Sequence, residues 1–256
     1  MALDKASRAA DSVTLSISAE PRDTLEIYAH RGSSLLHPEN TMAAFSAALE
    51  EGATGIETDL RLTRDGVIVL AHDPDLQRVA GDPRRISDLT RAEVDRIGRA
   101  RGRPIPTLDE LWDLAHGKVR LNLEIKDPLV TPLLLAFLRN HPGDVLVTSF
   151  HLSEIDAVRS AQSDMPVGPV LNRLGPEEMG RVAGRGYEGV SLAARSFSQR
   201  ALGFCHEERM RLLLWVVNRP QRVLHFDQMG VDAVFTDSPG PAVEALRARG
   251  LGPRKM

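Results

Sequence analysis

The sequence predicts an α/β protein folded as one (β/α)8 barrel with a small insertion after His72, and three observations carry that expectation. The chain has 256 residues, close to the ~250 typical of a single barrel of this kind. Eight short apolar runs recur along it, most of them followed by apolar residues at helical spacing. The runs are apolar in the middle and polar at their carboxyl ends, where such barrels place their chemistry.

The first run, residues 25–29, delivers His30-Arg31-Gly32 to its carboxyl end. Pro38-Glu39-Asn40-Thr41 then starts a helix with Asn40 or Thr41 as its cap; Met42, Phe45 and Leu49 share its apolar side, and Gly52 closes it. Glu39 and Asn40 read as helix-start and loop-bracing groups. In the second run, residues 55–62, the period of two puts Ile56, Thr58 and Leu60 on one face and Glu57, Asp59 and Arg61 on the other. Asp65-Gly66 predicts a two-residue hairpin returning through residues 67–71; that register pairs Arg64 with Val67 and brings His72 opposite Asp59. The pattern then breaks. Residues 74–106 read as an excursion over the site, with a short helix over residues 90–97 and a solvated Arg-rich run over 99–103, too small to bury a core of its own. A helix over residues 107–115 leads to the remaining runs at 120–125, 145–149, 167–171, 189–192, 211–217 and 233–236.

The expected organisation is a single catalytic barrel domain over residues 25–250, a loosely ordered extension over 1–24 and a tail over 251–256. Forty-two per cent apolar residues suffice for a sizeable core, yet no apolar run is long enough to span a bilayer. A net charge of −3 gives no general attraction for nucleic acid, so an anionic ligand must be met by local groups such as Arg31 and Lys126. Cys205 stands alone, which excludes an internal disulfide and suits a reducing compartment. Asp11, Ser12, Ser16 and Ser18 interrupt any apolar h-region near the start, so a cytoplasmic location without a signal peptide is expected.

The strand ends gather a distinctive set. Glu57, Asp59 and Glu124 facing one cavity would repel unless a cation neutralised them or some held protons. Oxygen donors without Cys favour one hard divalent ion, Mg²⁺ or Ca²⁺. Arg31 and Lys126 suit a phosphate, and His30 and His72 can act as acid and base near neutral pH. Phosphoryl chemistry follows. The other six histidines read as solvated or hydrogen-bonded loop residues, Phe150 and Trp215 as core or pocket lining, and Asp237 as the cap of the helix after it.

Ten motifs in order, His30-Arg31-Gly32, Pro38-Glu39-Asn40-Thr41, Glu57-Thr58-Asp59, Asp65-Gly66, His72-Asp73, Ile105-Pro106-Thr107-Leu108, Asn122-Leu123-Glu124-Ile125-Lys126, Ser149-Phe150, Trp215-Val216-Val217-Asn218 and Thr236-Asp237-Ser238-Pro239, resemble the glycerophosphodiester phosphodiesterases. The resemblance implies a TIM-type barrel with its insertion after the second catalytic histidine, at about residues 75–104, and a divalent ion on Glu57, Asp59 and Glu124. It also implies His30 and His72 as the acid–base pair, and an aromatic wall at Phe150 and Trp215. On that basis Arg31 and Lys126 would bind the phosphodiester, His30 would act as base and His72 as acid, and the products would be sn-glycerol 3-phosphate and an alcohol. Val216 where Thr is expected, and Ser238 where Arg is frequent, bear on substrate preference. A lysophospholipid or phosphoinositide hydrolase would require an apolar groove or loop near the mouth, of which the short polar insertion shows little. A catalytically silent binding module would be marked by loss of a histidine or carboxylate, and all five are present.

Overall fold

A computed structural model describes residues 25–250; the expected extension and tail lie outside the described residues. Along the chain come β1 (Glu26–His30), α1 (Met42–Glu50), β2 (Gly55–Leu62) and β3 (Ile68–Leu70). An excursion follows, made of β4 (Asp75–Leu76), α2 (Gln77–Ala80), β5 (Asp82–Arg85) and α3 (Arg91–Ala100). After α4 (Leu108–Ala115) come three strand–helix pairs: β6 (Arg120–Ile125) with α5 (Val130–Asn140), β7 (Val145–Ser149) with α6 (Leu152–Ala161), and β8 (Val167–Leu171) with α7 (Pro176–Val182). The last three are β9 (Gly189–Ala193) with α8 (Gln199–Glu207), β10 (Arg211–Trp215) with α9 (Pro220–Met229), and β11 (Ala233–Thr236) with α10 (Pro239–Arg247).

The sheet runs β1-β11-β10-β9-β8-β7-β6-β2 in parallel, and β1 also pairs with β2, so the eight strands close into the expected (β/α)8 TIM-type barrel. Within this sheet β3 alone is antiparallel, against β2. Parallel strands buried on both faces need near-continuous apolar sequence, which runs such as Val145–Ser149 supply. Alternation divides them. Ile27 and Ala29 join the large core under the helices, whereas Tyr28 packs inside the barrel with Leu146, Leu213, Ala233 and Phe235. The Tyr28 ring lies where a Cβ on Gly55 would come within 2.4 Å of it, so residue 55 has room only for glycine. At the strands' amino ends Arg211 pairs with Glu26 at 2.7 Å and Arg120 with Glu188 at 2.6 Å, beneath that plug. The cavity opens at the carboxyl ends. No helix among the described residues is long and apolar enough to cross a membrane.

The hairpin departs from expectation by one residue. Its loop holds Arg64, Asp65 and Gly66, with Gly66 at φ +82° and Thr63 N–H donating to the Val67 carbonyl at 3.0 Å. The Thr63 hydroxyl donates to Asp65 Oδ1 at 2.7 Å and accepts from Val67 N–H at 2.9 Å, which favours a turn-plus-glycine-bulge loop over the two-residue one. Leu60 therefore pairs with Leu70, and Ala71, not His72, lies opposite Asp59. The excursion packs Leu76, Ala80, Ile86, Leu89 and Val94 into a small core completed by Val69 and Ala71 of the hairpin and by Ile105. It borrows the hairpin's outer face instead of standing alone.

Candidate active site

At the end of β1 the backbone turns sharply, with Arg31 at φ +60° and Gly32 at φ +82°. A Cβ on Gly32 would come 2.6 Å from the Ala44 carbonyl carbon, so glycine is required there. The turn aims Arg31 back over β2: its N–H donates to Glu57 Oε2 at 3.0 Å, its guanidinium lies 3.1 Å from Asp59 Oδ2, and it donates to Glu39 Oε1 at 3.0 Å.

Glu57, Asp59 and Glu124 are buried, and one oxygen of each lies within 4.8 Å of the others. The register explains this, because Asp59 sits beside Glu124 on adjacent parallel strands and Glu57 one layer deeper on the same face. Lys126 bonds Glu124 and lies 3.1 Å from Asp59 Oδ1. Asn40, at φ +52°, donates to Asp59 Oδ2 at 2.9 Å and accepts from Thr58 Oγ1 at 2.8 Å. Thr41 alone caps α1, so Asn40 braces a carboxylate of the cluster.

Burial, then the neighbouring Asp59, pushes the Glu57 carboxyl well above the usual range, and burial raises Glu124 despite Lys126. Asp59 moves the other way: burial opposes it, but Lys126 and Arg31 hold it low. Three buried carboxylates made only of oxygen donors, two of them raised by burial, fit a hard divalent cation.

His30 Nδ1 bonds Asp237 Oδ1 at 2.7 Å. Asp237 in turn accepts from Ser34 Oγ at 3.1 Å and Asn218 Nδ2 at 2.6 Å. It is not the cap of α10; Ser238 holds that position and makes no side-chain cap bond. His72 Nδ1 bonds Asp73 Oδ1 at 2.7 Å, and Arg78, from the excursion, joins Asp73 at 2.6 Å to Glu39 at 2.7 Å. Arg61 donates to the His72 carbonyl at 2.7 Å and the Lys126 carbonyl at 3.2 Å. Burial lowers His30, but the Asp237 bond and Glu57 outweigh it and the group is raised; burial leaves His72 lowered.

Both histidines, Arg31, Glu57, Glu124 and Lys126 line one cavity of about 320 Å³. Phe150 and Trp215 form its wall, edge to face with centroids 5.9 Å apart. Phe150 is 40% exposed, which places it at the mouth and not in the core. Sequence reasoning missed Asp237 and Arg78, and read Asn40 as a brace of the loop where it braces Asp59. Only the first had a signal: in a closed barrel the last strand lies beside the first, and the pairing of Ala29 with Thr236 sets Asp237 next to His30.

A family model described as the Glycerophosphoryl diester phosphodiesterase family matches residues 30–241. The chain is 31% identical over 241 residues to a glycerophosphodiester phosphodiesterase of Caldanaerobacter subterraneus subsp. tengcongensis, covering 88% of this chain and 98% of that one. Among solved structures, the glycerophosphodiester phosphodiesterase of Thermotoga maritima is similar with a TM-score of 0.77 at 25% identity, covering 86% of this chain and 97% of that one. An Oleispira antarctica phosphodiesterase, solved in complex with the product sn-glycerol-3-phosphate, shares the fold with a TM-score of 0.80 at 24% identity, over 88% of this chain and 97% of that one. The family match begins at His30, passes through every later barrel strand and ends beyond Asp237, and the chain belongs to the glycerophosphoryl diester phosphodiesterase family.

Proposed function

We propose that the protein hydrolyses glycerophosphodiesters to sn-glycerol 3-phosphate and an alcohol, with His30 and His72 as its acid–base pair. The observation that carries this is the pairing of two imidazoles, each with Nδ1 held by a carboxylate, around one cavity that Glu57 and Glu124 of the buried carboxylate trio also line. Glu57, Asp59 and Glu124 would hold one divalent cation, Mg²⁺ or Ca²⁺, which when bound supplies Lewis-acid stabilisation of charge on the phosphoryl oxygens.

The chain's own groups do the rest. Arg31 binds a non-bridging oxygen of the diester, and Lys126 balances the carboxylates while offering an N–H to the same phosphoryl group. His30, its Nδ1 fixed by Asp237, takes through Nε2 the proton of the attacking hydroxyl, which is either the neighbouring glycerol hydroxyl or a water. The new P–O bond forms as the bond to the alcohol breaks, and His72 gives its proton to the departing oxygen. Attack by the glycerol hydroxyl yields a cyclic phosphate that a water then opens. The wall of Phe150 and Trp215 receives the alcohol at the mouth. The single, buried Cys205 supports a reducing, cytoplasmic setting for this reaction.

The test is purified protein with glycerophosphocholine, glycerophosphoethanolamine and a bis-aryl phosphodiester, each with and without chelator. Release of glycerol 3-phosphate that chelator abolishes is expected. No turnover with any divalent metal would overturn the proposal in favour of a ligand-binding barrel.

A further inference from the structure

The two rings that wall the cavity each carry a cation. Lys126 Nζ lies 5.3 Å from the centre of the Phe150 ring, and the Arg195 guanidinium 5.9 Å from that of Trp215. Lys126 is committed to Glu124 and Asp59. Arg195 has no such commitment. β9 ends at Ala193, and the short turn after it, Ala194–Ser196, sets Arg195 at the carboxyl end of the barrel. β8 and β10 flank β9, and the guanidinium reaches toward both. It donates to Asn172 Oδ1, just past the end of β8, at 2.8 Å, and lies against Trp215, the last residue of β10. The Trp215 ring is itself fixed, its Nε1 donating to the Ser191 carbonyl at 3.3 Å. Among the described residues Arg195 has no carboxylate partner, whereas Arg173, next to Asn172, is taken up by Glu178 at 2.8 Å. The acids across the mouth are also engaged, Asp237 with His30 and both Asp73 and Glu39 with Arg78. Arg195 is thus an oriented guanidinium at the rim of the wall with most of its five donors unfilled.

We infer that Arg195 reads the leaving alcohol, favouring an alcohol that carries an anionic group over one that is neutral or cationic. The inference rests on the glycerophosphodiester reading above, in which the wall of Phe150 and Trp215 receives that alcohol. A carboxylate or phosphate on the alcohol meets the guanidinium fork with charge-assisted hydrogen bonds. A quaternary ammonium such as that of choline would find its natural seat on the face of a tryptophan. Here Arg195 already covers that face and repels it, so one residue attracts the first class of alcohol and rejects the second. Because Arg195 is exposed, water and salt screen it, and the discrimination is of the size of a surface ion pair.

Equilibrium binding to the Mg²⁺-loaded protein tests this with two glycerol phosphonates in which a methylene replaces the leaving oxygen. One ends in a carboxylate and the other in the primary amide of the same shape, so they differ by one charge and neither can be hydrolysed. The wild-type protein should bind the carboxylate about two- to fivefold more tightly at low salt, and the preference should fade in ~0.5 M salt. Arg195→Gln should abolish the preference and Arg195→Lys restore it in part, while binding of the amide reports that each variant is folded. Equal binding of the two ligands by the wild-type protein would overturn the inference and leave Arg195 as packing for Trp215. A preference untouched in Arg195→Gln, or one that salt leaves unchanged, would do the same. Turnover of the two corresponding diesters on the same samples keeps the two ideas apart. Turnover absent with the preference intact removes the phosphodiesterase reading and leaves the alcohol subsite; turnover present with the two ligands bound equally removes the subsite alone. Binding of neither ligand removes both.

Discussion

His30 and Asp237 are 207 residues apart in sequence and share a 2.7 Å hydrogen bond, made where the last strand of the barrel closes on the first. The bond fixes the imidazole's tautomer and, in the proposed reaction, would favour the imidazolium formed as His30 accepts a proton. Asp237→Asn keeps the shape but removes the charge and offers an amide N–H to the wrong nitrogen. The expected result is a fall in kcat of roughly 10²–10⁴ with little change in KM. The acid limb of the pH–rate profile should move to lower pH, because the carboxylate that raises His30 is gone. A kcat and pH profile matching wild type would show that Asp237 only ties the barrel's seam.

His72 can be separated from His30 through the leaving group. A choline or ethanolamine alkoxide departs only with a proton, whereas an aryloxide needs little help. His72→Ala should lower kcat for glycerophosphocholine by about 10²–10⁴ while sparing most of the activity on a bis-aryl diester. His30→Ala should lose both. Equal losses on the two substrates in His72→Ala would assign that residue to binding instead of acid catalysis.

Barrel and carboxylate trio were legible because each rests on local periodicity. Alternation alone puts Glu57 and Asp59 on one face, and the structure adds only that Glu124 is Asp59's neighbour in register. Asp237 was less accessible, since its role depends on closure between distant strands, and its place before Pro239 gave it an innocent reading as a helix cap. His72 was expected opposite Asp59 and is displaced by the loop at Arg64, because whether an Asp-Gly turn has two or three residues was decided by the Thr63 hydroxyl. Arg78 had no sequence signal: it lies in an irregular excursion whose path over the mouth follows from the small core it shares with Val69 and Ala71.

The raised carboxyls predict how metal and pH interact. Glu57 and Glu124 sit above the ordinary glutamate value in the folded protein, burial being the main cause. A group raised on folding contributes stability that is complete below its unfolded pKa and is lost as pH rises through the folded one. The metal-free protein should therefore lose stability upward from the unfolded glutamate value of about 4.5. Asp59 has the opposite sign, its contribution fading only as pH falls through its depressed value, so it does not alter this window. A cation displaces the protons, so the gain in Tm on adding Mg²⁺ or Ca²⁺ should be larger near pH ~8 than near pH ~5.5, and chelator should reverse it. A gain independent of pH would mean that the trio does not hold the ion.

Arg61 joins the two arms of the site without lining the cavity. Half-buried, it bonds the His72 carbonyl through Nε at 3.2 Å and an η nitrogen at 2.7 Å, and the Lys126 carbonyl through the other η nitrogen at 3.2 Å. One planar fork thus fixes the backbone that carries the second histidine relative to the backbone that carries the lysine. A lysine has a charge but no fork, so Arg61→Lys reaches one carbonyl and leaves the other unpaired. Loss of such charge-assisted bonds should cost about 2 kcal/mol of stability for Arg61→Lys and somewhat more for Arg61→Met, read by denaturant unfolding. Because the residue positions others, kcat should fall about tenfold or more, as happens when a reacting group is held slightly out of place, with KM less affected. Destabilisation with kcat intact would mean that the hairpin's own ladder to β2, and not Arg61, sets where His72 stands.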